Sequence, residues 1–225
     1  MIARRFYLSA VAAVAILAVV TAHSAKPRAG RTTPSEISQE ILKKRQDVMN
    51  RLEKATKQKV NLPPTDGMLL RILAETSGAK RALEIGSSNG YSALWIGQGL
   101  ERNGGRMWTI EIDASRAKQC RENLKEASLD QVVTSIEGDA FNEIPKIEGT
   151  FDFVFIHAGK KDYKRFYDTV YPRVVPGGLI VAHDTIQFAD DMKDFLEAVN
   201  NNPDLDTVTL STTLEDGLTV SFKKN

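Results

Sequence analysis

Cysteine is nearly absent. Cys120 is the single one in 225 residues, so no disulfide can form within the chain. Ala117, Cys120 and Leu124 recur on one helical face, which reads Cys120 as a small core residue. A surplus of either charge is absent too, with 30 Lys and Arg against 29 Asp and Glu. No basic excess points to nucleic acid, and no such partner is expected. There is no internal repeat and no low-complexity tract. A dinucleotide fingerprint, G-x-G-x-x-G, is missing. The nearest stretch reads Glu84-x-Gly86-x-x-x-Gly90, with serine at 88, which counts against a nicotinamide dehydrogenase. Histidine is scarce, with three in the chain.

What is present begins with an export layout. Arg4 and Arg5 precede an apolar run over 6–22, followed by small residues to Ala25. That is the order of a secretory signal: basic, apolar, small-residue cleavage region. Cleavage after Ala22 or Ala25 is expected. The run is near the lower limit for spanning a bilayer, so an uncleaved anchor is the alternative. Arg4-Arg5-Phe6-Tyr7-Leu8 weakly resembles a twin-arginine signal. The expected location is therefore periplasmic, extracellular or membrane-anchored, with membrane contact only through this segment.

Residues 26–60 read as a basic linker and one helix, with Thr33 as N-cap and Pro34 at its start. Ile37, Ile41, Val48, Leu52 and Ala55 keep helical spacing. The helix packs on the domain or on a second subunit of a homodimer. Residues 61–225 form one domain, long enough to bury a core. After a helix near 66–76, strands alternate with helices, the pattern of a parallel sheet. Strands are expected near 81–85, 107–111, 132–136, 151–156 and 178–183. Helices are expected near 91–102, 114–127, 160–174 and 187–200. Two final strands, 205–211 and 217–223, are joined by Glu215-Asp216-Gly217, a turn signal. The fold class is α/β: a doubly wound, mostly parallel seven-stranded sheet with a C-terminal antiparallel hairpin and an N-terminal helical cap.

The stretch from Ala82 to Ser92 reads as strand, glycine turn and helix start. In such sheets ligands bind at the carboxyl ends of the strands. Gly86 allows a sharp turn and close ligand approach, Gly90 lets the next helix pack near the strand, and Asn89 tolerates unusual dihedrals. The next strand ends in Glu111, where a carboxylate can hold ribose hydroxyls. Gly138-Asp139-Ala140 follows the third strand, placed to meet an adenine edge or to lie in solvent. His157 and His183 fall at the ends of the fourth and fifth strands, with Asp184 next to His183.

Pro64-Thr65-Asp66-Gly67-Met68-Leu69-Leu70, Ala79 to Gly86, Gly90-Tyr91-Ser92 and Thr109-Ile110-Glu111 stand in an order and spacing that resembles a known family. It is the S-adenosylmethionine-dependent O-methyltransferases of the catechol and caffeoyl-CoA type, and more closely their small bacterial relatives. The resemblance runs from about residue 60 to the C-terminus. It implies a Rossmann-like methyltransferase fold, S-adenosylmethionine as cofactor and a small, phenolic or catechol-like acceptor. Leu62, Glu84, Gly86, Ser87, Gly90, Ser92, Glu111, Asp139, Ala140 and His157 would frame the cofactor. Lys160, in Phe155-Ile156-His157-Ala158-Gly159-Lys160, takes the position of the family's candidate base, with His157 beside it. Metal-dependent members carry Asp where this chain has His157, and Asp-Asn where it has His183-Asp184. Either a softer divalent metal binds His157, His183 and Asp184, or metal dependence is lost and the histidines act directly. The loop after the fifth strand looks short, which leaves the acceptor site open. The rival to an enzyme is an exported, degenerate relative that binds its ligand without turnover.

Overall fold

The structure, a computed structural model, describes residues 37–55, 61–213 and 216–225. The expected signal segment, the linker, the Thr33 cap, Pro34 and Glu215 lie outside the described residues. Among the described residues no helix is long and apolar enough to cross a membrane.

Two helices precede the sheet: α1 (Gln39–Ala55) and α2 (Pro64–Thr76). The rest alternates as β1 (Arg81–Ile85), α3 (Tyr91–Asn103), β2 (Arg106–Glu111), α4 (Ala114–Glu126), β3 (Val133–Glu137), α5 (Ala140–Glu143), β4 (Phe151–Ile156), α6 (Tyr163–Val170), β5 (Val174–Ala182), α7 (Lys193–Asn200), β6 (Leu205–Ser211) and β7 (Gly217–Lys223). The sheet order is β3-β2-β1-β4-β5-β7-β6. The first five strands run parallel, and β7 inserts antiparallel between β5 and β6. The crossover order reverses at β1 and β4, which opens a crevice at their carboxyl ends.

Alternation along β4 builds both faces of the core. Phe153 and Phe155 join Leu70, Leu94 and Leu100 on the α2–α3 side. Val154 and Ile156 join Tyr163, Val170 and Phe195 on the α6–α7 side. Cys120 is fully buried, as its helical face implied. The helix α1 packs on its own domain. Buried Arg45 pairs with Glu101 at 2.7 and 2.9 Å and donates to the Ala127 carbonyl at 3.0 Å. Tyr91 donates to Glu53 at 2.6 Å.

Two expected helices are shorter than their apolar spacing. The first is regular only over α6, with 3-10 turns at Lys160–Asp162 and Tyr171–Arg173. The second begins at Lys193, not near 187. The cause is a tether. Thr185 bonds the Gly217 carbonyl through both its N–H and its hydroxyl, each at 3.1 Å. Asp184 takes a left-handed backbone, φ 65°, which turns the chain before a helix can start. The loop after β5 is therefore longer than the sequence implied.

Candidate active site

The loop after β1 is fixed by its neighbours. The Gly86 N–H bonds the Ile110 carbonyl at 2.9 Å, and the His157 N–H bonds the Ile85 carbonyl at 2.9 Å. Gly86 has φ +91°, and a Cβ there would sit 2.2 Å from the His157 carbonyl oxygen. Ser88, not Asn89, takes the left-handed conformation of this turn, with φ 47°. Asn89 stays useful in another way: its side chain accepts from the Tyr91 N–H at 3.2 Å, and its carbonyl accepts from Asn123 at 2.9 Å. The Ser88 N–H donates to Glu111 Oε2 at 2.8 Å, and the Asp113 N–H donates to Oε1 at 3.0 Å. Two backbone donors thus hold the Glu111 carboxylate at the strand tip.

Gly90 works against a helix, not a strand. Its φ is +88°, and a Cβ would meet Cys120 Sγ of α4 at 2.8 Å. Gly90→Ala should cost roughly 1–3 kcal/mol, read as a lower denaturant midpoint. Adding Cys120→Ala should recover the steric share and leave the backbone share.

A cavity of about 590 Å³ opens over these strand ends. Leu62, Gly86, Ser87, Ser92, Glu111, Asp139, Ala140, His157 and Lys160 all line it. Glu84 and Gly90, expected at the cofactor, are not in its wall. Glu84 is fully buried and accepts from Thr109 Oγ1 beneath the loop. Burial pushes its carboxyl up to about 7. Asp139 caps α5, accepting from the Phe141 N–H at 2.9 Å. Arg116, Phe141, Arg165 and Phe166 were not among the residues expected at the site. All four line the cavity. The Phe141 and Phe166 rings stack at 4.6 Å, and the Arg165 guanidinium lies 4.0 Å over Phe141.

Beside the cavity lies a cluster of acids and histidines. His157 lines the wall, and its Nε2 is 3.3 Å from Asp184 Oδ2. Lys160 Nζ contacts the same Asp184 oxygen and donates to the Ala158 carbonyl at 3.2 Å. The rings of Tyr163 and Phe188 each lie 5.5 Å from Nζ. His183 and Asp184 stand behind the wall. His183 Nε2 is 2.9 Å from Asp66 Oδ2 and 3.6 Å from Asp216 Oδ2. Its Nδ1 is 3.0 Å from Asp184 Oδ1, but off the line of a hydrogen bond. His157, His183 and Asp184 each offer one ligand atom, all within 4.8 Å of one another.

The charges follow from this packing. Burial lowers the His157 pKa, against the pull of Asp184, so its ring is neutral at neutral pH. For His183 burial also works downward, but Asp184 and Asp66 outweigh it and hold the imidazolium up to about 9. Burial of Asp184 is outweighed by His157 and His183, and its carboxyl stays well below the usual range. Burial, with Asp184 alongside, pushes Asp216 up to about 6.

Comparison with known proteins agrees with this architecture. The O-methyltransferase family profile matches residues 33–223. The chain belongs to the O-methyltransferase family. It is 33% identical over 142 residues to the catechol O-methyltransferase of Niastella koreensis, a match covering 61% of this chain and 64% of that one. It is 30% identical over 158 residues to the catechol O-methyltransferase of Mycobacterium tuberculosis, covering 65% and 71%. The O-methyltransferase of Bacillus cereus, solved in complex with SAH, superposes with a TM-score of 0.71 at 24% identity, over 80% of this chain and 91% of that one. An O-methyltransferase of tomaymycin synthesis from Streptomyces achromogenes, solved with SAM, also gives 0.71 at 24% identity, over 84% and 92%. At these identities the superpositions establish the fold: a Rossmann-like methyltransferase sheet closed by antiparallel strands.

Proposed function

We propose that this protein transfers a methyl group from S-adenosylmethionine to a hydroxyl oxygen of a small, phenolic or catechol-like acceptor. The observation that carries the reading is Glu111. A carboxylate pinned by two backbone N–H groups stands in a cavity beside a glycine loop, where ribose hydroxyls need an acceptor. Asp139, Ala140 and the Phe141–Phe166 stack suit the adenine. Leu62 and the Gly86–Ser88 turn suit the methionine end, which brings the methyl group toward His157 and Lys160.

The cofactor supplies a methyl group on a sulfonium. As the oxygen–methyl bond forms and the sulfur–methyl bond breaks, the acceptor oxygen must lose its proton. His157 is the group placed to take it: neutral, in the cavity wall, with Asp184 steadying the imidazolium that results. Lys160, paired with Asp184, is placed to stabilise the developing negative charge on oxygen. Holding both reactants in line supplies much of the acceleration.

Calorimetric titration of S-adenosylmethionine into the full-length protein tests the cofactor site. Micromolar binding is expected, weakened in Glu111→Ala by at least ~1.4 kcal/mol, a tenfold change. Transfer of labelled methyl to a panel of catechols separates the enzyme from a relative that binds without turnover. Binding with no product on any acceptor would favour the latter. The layout of residues 1–25 supports a place outside the cytoplasm or at its membrane. A phosphatase fusion active only after export checks that.

A further inference from the structure

The last two strands carry a different chemistry on each face. Along β6 the hydroxyl residues point to the α7 side: Thr207 donates to the Val199 carbonyl at 3.0 Å, and the Thr209 and Thr219 hydroxyls meet at 2.8 Å. Alternation sends Val208 and Leu210 to the opposite face, which they share with Val220 and Phe222 of β7. The core on that face ends at β7, where Leu218 is buried and Val220 packs only on its border.

Helix α2 walls one side of this open shelf. Its Ala74 packs against Gly99 of α3, and a Cβ on Gly67 would strike Trp95 of α3. Met68 and Ile72, one turn apart, therefore lie on the side away from α3. The first turn of α2 is fixed over the end of β5 by the contact of Asp66 with His183. Ile186 closes the shelf at the loop after β5: its side chain and the Leu210 carbonyl both border Gly217. Met68, Ile72, Ile186, Val208, Leu210 and Phe222 are each 37–51% exposed.

We infer that this shelf is the interface of a homodimer, in which the same face of a second copy packs on it about a twofold axis. The inference does not depend on the methyl-transfer reading. Area is the first argument for that occupant. The six side chains leave roughly 500 Å² uncovered, about the apolar share of the ~800 Å² that a stable interface takes from each partner. Charge is the second. The ions near the shelf are paired within the chain, Lys224 with Asp206 at 3.6 Å and Arg71 with Glu75 at 4.0 Å. That leaves no cationic surplus to hold an anionic lipid surface, and a twofold contact of one apolar face with itself needs none. The third argument is the edge. β6 ends the sheet and has no Lys, Pro or bulge, the devices that keep an uncovered edge strand from associating. Helix α1 offers no rival surface, because Val48, Met49 and Leu52 are buried on its own domain.

Sedimentation velocity of the full-length protein tests this. A species of twice the 24.9 kDa chain mass is expected, with a dissociation constant of ~10 μM or tighter. Val208→Glu and Ile72→Glu alter exposed positions on separate elements. Each should weaken association at least ~10-fold, with circular dichroism and unfolding midpoint unchanged. Ile112→Glu is the control. It changes the most exposed large apolar side chain among the described residues, off the shelf, and should leave the dimer intact. A protein monomeric at ~100 μM would overturn the inference, and so would a dimer that persists in both shelf variants. Equal loss of the dimer in Ile112→Glu would also overturn it, as the mark of unspecific apolar association. A monomer that binds phosphatidylglycerol vesicles, and loses them in Val208→Glu, would give the shelf to a membrane instead.

Discussion

His157→Gln should lower kcat by roughly 10²-fold or more and leave S-adenosylmethionine affinity within about threefold. The glycine loop packs against the backbone carbonyl of His157, which the substitution keeps, and not against its ring. Glutamine preserves a polar side chain of similar reach and loses only the basic nitrogen. The pH profile gives a second readout. Burial lowers the His157 pKa below the ordinary imidazole value, so the neutral form persists into mild acid. The rate should fall only below that ordinary range, as protonation removes the base. In His157→Gln this acid limb should be absent. Steady-state transfer of labelled methyl across pH decides it. A variant that kept the same rate and the same limb would assign the proton to another group, with Lys160 first in line.

Gly86→Ala should abolish measurable cofactor binding and cost about 3 kcal/mol or more of stability. Two penalties coincide there. The backbone is left-handed, and the new Cβ would fall 2.2 Å from the His157 carbonyl oxygen and 2.9 Å from its carbon. Neither atom can swing away, because the peptide is tied into β4 and β1. Gly177→Ala is the control. It has a similar φ, +82°, but its nearest contact is the Asn225 side chain at 3.7 Å. Backbone strain alone, at the low end of about 1–3 kcal/mol, is expected there. Denaturant unfolding of both variants separates strain from collision.

The sheet was legible because its strands are short apolar runs bounded by turn residues, and the run Phe151–Ile156 reads the same in sequence and structure. The part of the cavity wall at the first three strand ends was legible for a related reason. Gly86 sits one step past β1, Glu111 closes β2 and Asp139 stands two past β3, so finding the strand locates the residue. Glu84 was misplaced although the signal was available. Alternation puts it on the face of Ala82, turned into the core. Ser88 was not legible, since a left-handed serine leaves no mark in composition. The start of α7 was hidden because a tether to β7 overrides local helical spacing. Arg165 and Phe141 meet only once α5 and α6 lie side by side. Nothing near Asp66 in the chain announces a histidine 117 residues on.

That separation also orders events in time. The Ser88–Glu111 contact closes over 23 residues, and the Asp66–His183 contact over 117. Closing the longer loop costs more chain entropy and comes later. Pulse-labelled hydrogen exchange should protect β1 and β2 before the amides around His183. A folding chain would then assemble the wall around Glu111 first, and the cluster around His183 only with the last tie between α2 and the end of β5. On the proposed reading, a chain short of that tie would hold its methyl donor without the means of spending it.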